Sequence, residues 1–327
     1  MTICPLFDDE YLKRLYWGMN RSAKSVAQRY AHRVRELAHA VDADMLWIEK
    51  EVLPYLPFRL ERALMPRGVP YMVDYDDAVF HNYDLSDRLW MRVLLGRKID
   101  QVMAGSAMVT CGNDYLAKQA LRAGARRVEY LPSVVDTQRY PVAPSPKNNS
   151  LVIGWIGSPS TQHYVTELSP VLARLGKKHG ARLVLVGAQP QVAEHFDNLA
   201  VQVLPWSEAT EVEQIARFDI GIMPLRDGCW ERGKCGYKLI QYMACGKPVV
   251  ASSVGVNPQI VEHGEHGFLV DTSEQWDTAI RQLAVDAELR RRMGQAGRSR
   301  VKNEYSLETW APRLVRLLSS MSGSSST

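Results

Sequence analysis

The sequence has no apolar run approaching the roughly 18 residues that a membrane-spanning helix needs, so no such helix is expected. Its opening, MTICPLFDDEYLKRLYWG, carries acids early and has no apolar core, which argues against a signal peptide. Cysteine is scarce. Cys4, Cys111, Cys229, Cys235 and Cys245 are odd in number and never fall in the C-x2-C spacing of a zinc site, so reduced thiols in a cytoplasmic setting are expected. Charge of one sign is also lacking in bulk. A net +4 without any recognisable binding module gives no reason to expect nucleic acid as a partner. No internal repeat shows, and the tail SSMSGSSST is low in complexity, so 320–327 is expected to be disordered.

What is present is a globular composition, 46% hydrophobic and 23% charged, on a 327-residue chain long enough for two domains. Short apolar runs recur at 45–49, 71–75, 107–111 and 128–132, then at 151–157, 181–187, 201–205, 219–225, 247–252 and 267–270. They are continuous rather than alternating, as expected of parallel strands covered on both faces. Helical patterns lie between them, one from about Ser22 to Val41 and another from about Gln162 to Lys178. Strand and helix in repeated alternation imply doubly wound α/β architecture. PVAPSPKNNS (141–150) suits neither helix nor central strand and is expected to be a hinge. The basic run Lys13, Arg14, Arg21, Lys24, Arg29, Arg33 and Arg35, with Tyr16 and Trp17, reads either as a solvated helix face or as a peripheral contact with anionic lipid.

Three stretches carry candidate chemistry. In WIGSPSTQHY (155–164) a strand ends at Gly157 and a helix follows, which aims backbone N–H groups at one point; Ser158, Ser160 and Thr161 add hydroxyls, or merely cap the helix. In RDGCWERGKCGYKLIQYMACGKPVVAS (226–252) Lys234 and Lys238 stand four apart at a helix entry, as a diphosphate would require. In VDYDDAVFHNYD (73–84) Asp74, Asp76 and Asp77 follow an apolar strand, where acids are costly unless used, solvated or capping a turn. His81 and His163 are further candidates.

The blocks IGWIGSPST, FDIGIMPL and KLIQYMACGKPVVASSVGVNPQIVEHGEHGFLV, in this order, resemble the donor-binding half of GT-B glycosyltransferases of family 4. VEYLPSVVDTQRYP (128–141) resembles the entry to that half, and the likeness runs from about residue 45 onward. The resemblance implies two Rossmann-like doubly wound domains facing a cleft: 1–143 on the acceptor side, 150–304 for the donor, and a helix over 305–319 packing back across the hinge. The first domain would lack its first βα unit, since the family's opening strand and glycine-rich loop have no counterpart here. The implied activity is retaining, metal-independent transfer of a sugar from a UDP- or GDP-sugar type donor to a glycan or lipid-linked acceptor, with no cofactor.

The arginine and lysine that often follow the glycine in the family are absent here, so Lys234 and Lys238, with the hydroxyls of Ser158, Ser160 and Thr161, are expected to hold the diphosphate that the resemblance places at Gly157. The resemblance places ribose and base at Gln241 and Trp206, and the donor sugar near Asp227, Glu231 and Gly233. Asp76 and Asp77 would be catalytic, Asp76 standing where much of the family has a histidine. The family's two glutamates, E-x7-E, fall on Gly233 and Gln241, so neither acid is present. That departure keeps two other readings open: a nucleotide-sugar-binding protein without transfer, and an isomerase of the nucleotide-sugar 2-epimerase type. The D-x-D pattern around Asp74 and Asp76 also resembles metal-binding GT-A enzymes, against which the second α/β domain argues.

Overall fold

The computed structural model describes residues 2–8, 11, 22–142 and 150–322. The tail 323–327, most of the hinge stretch, and Lys13, Arg14, Tyr16, Trp17 and Arg21 of the basic run lie outside the described residues. The chain divides into two compact units, Met1–Pro132 with Leu314–Thr327, and Ser133–Arg313.

The first unit holds a parallel sheet of β1 (Leu46–Glu49), β2 (Tyr71–Tyr75), β3 (Met108–Cys111) and β4 (Val128–Tyr130), in that spatial order. β3 is buried along its whole length and β2 at every residue but Asp74, which explains their unbroken apolar character. Leu317 and Met321, from the final helix Leu307–Ser322, cluster with Met72 and Met108 of this sheet. Arg127 adds a hydrogen bond to Ser320 at 2.8 Å.

The second unit holds six parallel strands: β5 (Val152–Ile156), β6 (Arg182–Val186), β7 (Ala200–Leu204), β8 (Ile220–Met223), β9 (Val249–Ser252) and β10 (Gly267–Val270). Their spatial order is β10-β9-β8-β5-β6-β7. The chain winds outward from β5 through β6 to β7, then returns to β8 and winds the other way. The reversal lies between β5 and β8, and ligands of such sheets bind beyond the carboxyl ends of the strands at that point. Ser133–Val142 packs with this unit: Val135 bridges to Ser306, and Tyr140 joins the core with Tyr242 and Leu239. The helix expected from about 162 to 178 is split into Gln162–Thr166 and Ser169–His179, because Pro170 has no N–H to donate and suits only a first turn.

Close packing at the reversal depends on two glycines. Gly154 of β5 and Gly221 of β8 are register partners. A Cβ on Gly154 would lie 2.1 Å from the Phe218 ring, and one on Gly221 would lie 2.4 Å from the Tyr242 ring. Without side chains there, these rings meet edge to face at 6.1 Å directly over the sheet. The helix Tyr237–Ala244, which carries Tyr242, therefore sits tight against the point of reversal.

Candidate functional site

Within the second unit, β5 and β8 pair only at Ile153–Ile220 and Gly154–Gly221. Beyond that the Tyr242 hydroxyl takes over, accepting from the Ile156 N–H at 2.9 Å and donating to the Ile222 carbonyl at 3.4 Å. Two backbone groups that a ladder would have paired are thus satisfied by one side chain, and the strand ends can part without orphaned polar groups. Lys238 precedes Tyr242 by one helical turn and so shares its face. Its ammonium stands 4.6 Å from the centroid of the buried Trp155 ring. A Cβ on Gly157 would come within 2.4 Å of that ring and 2.7 Å of the Lys238 Nζ. Residue 157 must be glycine for the lysine to reach the turn after β5, and the ring face steadies the cation there.

Lys234 lies just before that helix, its ammonium 5.8 Å from the Trp230 ring centroid. The hydroxyls of the 158–161 turn largely serve the turn itself. Ser158 and Thr161 form a capping box around Pro159–Thr161, and Ser158 Oγ lies 2.8 Å from Ser160 Oγ. Gln162 accepts from the Gln189 N–H at 2.8 Å and thereby ties this turn to the one after β6.

The residues assigned to the donor sugar form a short charged loop. Asp227 holds Arg232 through two hydrogen bonds of 2.7 and 2.9 Å, and Glu231 accepts from the Tyr164 hydroxyl. Gly233 has an ordinary backbone conformation at the end of the helix Cys229–Arg232 and offers only main-chain atoms.

Gln241 and Trp206 meet in a network that the sequence did not reveal. Gln241 is 3% exposed, and its Nε2 donates to the Tyr140 hydroxyl at 3.0 Å. Tyr140 in turn donates to Glu211 Oε1 at 2.9 Å, and Trp206 Nε1 donates to Glu211 Oε2 at 3.0 Å. Burial above all keeps the Tyr140 proton in place, raising its hydroxyl well beyond the usual tyrosine range. The indole edge of Trp206 is thus occupied, while the residue remains half-exposed beside Gly187, whose turn abuts Gly157.

In the first unit, Asp76 follows β2 directly and is paired with Lys50 at 2.9 Å. Lys50 stands just past β1 with φ of 66°, and its N–H donates to the Asp74 carbonyl at 3.0 Å. The parallel pairing of Glu49 with Asp74 makes residues 50 and 76 neighbours, a signal available once strand order is known. The loop after β1 is anchored by Lys98, 2% exposed, which pairs with Glu51 and Glu61 and donates to the Leu53 carbonyl at 2.6 Å. Glu61 accepts from the N–H groups of Val52 and Leu53 at 3.1 and 3.2 Å, so the buried charges are hydrogen-bonded as well as paired. The Val79 N–H donates to the Asp77 carbonyl at 2.9 Å in the turn after β2. His81 is held between Asp84 at 2.9 Å and Tyr115 at 2.8 Å.

Asp74 accepts from the Thr110 hydroxyl, yet burial first, and then the Asp76 and Glu49 charges, push its carboxyl up to about 6. The folded state therefore binds this proton more tightly than the unfolded state, and stability falls as pH rises from about 4 to 6. Asp74→Asn keeps the acceptor and removes the charge. Urea unfolding should show it more stable than wild type by about 2 kcal/mol at pH 7 and nearly equal at pH 4.

Residues 150–286 match the family model described as glycosyl transferases group 1, and the resemblance read from the motifs holds. The chain is 31% identical over 153 residues to N-acetyl-alpha-D-glucosaminyl L-malate synthase of Bacillus anthracis, covering 44% of this chain and 39% of that protein. It is 26% identical over 265 residues to GDP-mannose-dependent alpha-(1-6)-phosphatidylinositol monomannoside mannosyltransferase of Mycobacterium tuberculosis, covering 70% and 66%. It therefore spans less than two thirds of the length of these curated relatives. Among solved structures, sucrose-phosphate synthase from Thermosynechococcus elongatus superposes with a TM-score of 0.71 at 16% identity, covering 94% of this chain and 81% of that one. Anabaena HepE in complex with UDP-glucose does so with a TM-score of 0.71 at 18% identity, covering 96% and 90%. The fold is that of GT-B glycosyltransferases, with two parallel-sheet, Rossmann-like domains.

Proposed function

We propose that this protein moves a sugar from a nucleotide diphosphate sugar to a glycan or glycolipid acceptor, with retention at the anomeric carbon and without a metal ion. The observation that carries the reading is the Lys238 ammonium at the Gly157 turn, beyond the strand ends where the second sheet reverses. A leaving diphosphate gains negative charge as the glycosidic bond breaks, and a cation fixed at this turn stabilises that charge more than it stabilises the intact donor. Lys234 supplies a second cation from the stretch just before the Lys238 helix, with Ser158, Ser160 and Thr161 as hydroxyl partners. Trp206 is assigned to the base and Gln241 to the ribose. Asp227, Glu231 and the Gly233 main chain are assigned to the sugar. Asp76 and Asp77 are assigned to the acceptor hydroxyl, Asp76 as the group that orients it or accepts its proton.

Two similar proteins support the donor class: a relative described as GDP-mannose-dependent and a structural neighbour holding UDP-glucose. No helix of the described residues is long and apolar enough to cross a membrane, and a peripheral position on the cytoplasmic face is part of the proposal. Within the basic run, Arg29 pairs with Asp8 and Arg33 donates to the Cys4 carbonyl at 2.7 Å, so these two serve the fold as well.

Incubation with UDP-, GDP- and ADP-sugars, with and without a lipid or glycan acceptor, tests the reading through nucleotide release. Acceptor-dependent release is expected. A new isomeric sugar nucleotide would instead assign an epimerase, and tight binding without turnover a protein that only holds the donor.

A further inference from the structure

A single exposed leucine is ordinary on a protein surface, but a contiguous group of them is not. In the first unit Leu85, Leu89, Trp90, Val93 and Leu94 are each between 52% and 72% exposed. Four of them belong to the helix Leu89–Leu95, which is held to its unit by the buried Met91 and Leu95. On a helix of 3.6 residues per turn, positions 89, 90, 93 and 94 share one side, opposite to the pair that anchors it. The result is an apolar stripe facing outward, continued by Leu85.

The charges around the stripe decide what can cover it. Arg88, Arg92 and Arg97 are exposed, and Asp87 is the one acid between 85 and 97. We propose that this helix is a docking face for an anionic lipid bilayer, lying flat with Leu89, Trp90, Val93 and Leu94 in the boundary between headgroups and acyl chains. Arg88, Arg92 and Arg97 then meet lipid phosphates. Seven helical residues extend about 10 Å, a third of the hydrocarbon thickness, so the element lies on a bilayer and does not cross it. Tryptophan, with an apolar ring and one N–H, favours that boundary. A second copy of the chain is a poor occupant, because a two-fold contact would bring together two copies of the same basic border. An anionic headgroup layer complements the same charges, and apolar insertion with basic attraction is how short helices hold to such surfaces.

Sedimentation with phosphatidylcholine vesicles, with and without phosphatidylglycerol, tests this without any substrate, so its outcome is independent of the transfer reading. Wild type is expected to pellet with the anionic vesicles and far less with neutral ones. The triple variant Leu89→Ser, Val93→Ser, Leu94→Ser and the double variant Arg88→Glu, Arg92→Glu should each lower the partition coefficient about tenfold or more. Both change exposed positions, and an unaltered thermal midpoint would confirm that each still folds. Failure to bind anionic vesicles would overturn the proposal, as would binding that neither variant weakens. A wild-type dimer in solution that Leu94→Asp converts to monomer would assign the face to a second copy instead.

Discussion

Lys238→Ala is expected to lower affinity for a nucleoside diphosphate about a hundredfold and to leave affinity for the nucleoside within about twofold. The asymmetry follows from where the ammonium stands. It is fixed over the Trp155 ring, close enough to Gly157 that a Cβ there would touch it. From that position it can serve an anion at the turn after β5, while base and ribose are assigned to Trp206 and Gln241. A charge-assisted hydrogen bond contributes roughly 1.5–3 kcal/mol, and each 1.4 kcal/mol is tenfold in affinity. Lys234→Ala should cost less, because that ammonium stands by Trp230 and belongs to the flank of the loop. Lys238→Arg keeps the charge but not a compact point charge, and should recover only part of the loss. Isothermal titration with UDP, GDP and their nucleosides reads all of these. Equal weakening of nucleoside and diphosphate by Lys238→Ala would refute the assignment.

The sheets were readable in the sequence because their strands are buried on both faces, and burial leaves an unbroken apolar run as its trace. Thus 71–75 and 267–270 match their strands residue for residue, and 151–157 overruns β5 by a single residue at each end. The approach of Lys238 to the Gly157 turn was also foreshadowed, since both sit at the ends of elements that a doubly wound sheet brings to one edge. What the chain did not disclose depends on pairings between distant segments. Lys50 meets Asp76 only because β1 lies beside β2 in parallel. Gln241 meets Tyr140, 101 residues away, and only through it Glu211 and Trp206. Periodicity reports which face of an element is buried; it says nothing about which polar group waits on the other side.

That network turns the most conspicuous departure from the family pattern into a prediction. Gln241→Glu, which supplies the family's acid, should destabilise the fold by about 3 kcal/mol at neutral pH. Tyr140 has one proton, and it goes to Glu211. Its oxygen accepts from the Gln241 amide nitrogen, with the Tyr237 hydroxyl as a further hydrogen-bond partner of Tyr140. A carboxylate at 241 has no proton to offer, so two buried acceptors would compete for one hydroxyl. Such a group relaxes by holding its proton more tightly than it does in the unfolded chain. The loss should therefore be small below about pH 4, grow as the pH rises, and level off once the buried carboxyl has ionised. The exchange Gln241→Glu with Glu211→Gln offers the decisive comparison. The amide at 211 can accept from Trp206 and donate to Tyr140, which frees the tyrosine proton for the carboxylate at 241. The pair should be more stable than Gln241→Glu alone by about half of the lost free energy or more, a coupling that urea unfolding of both single variants and the double would measure. If Gln241→Glu unfolds at the wild-type midpoint at pH 7, the amide at 241 is not required by its surroundings.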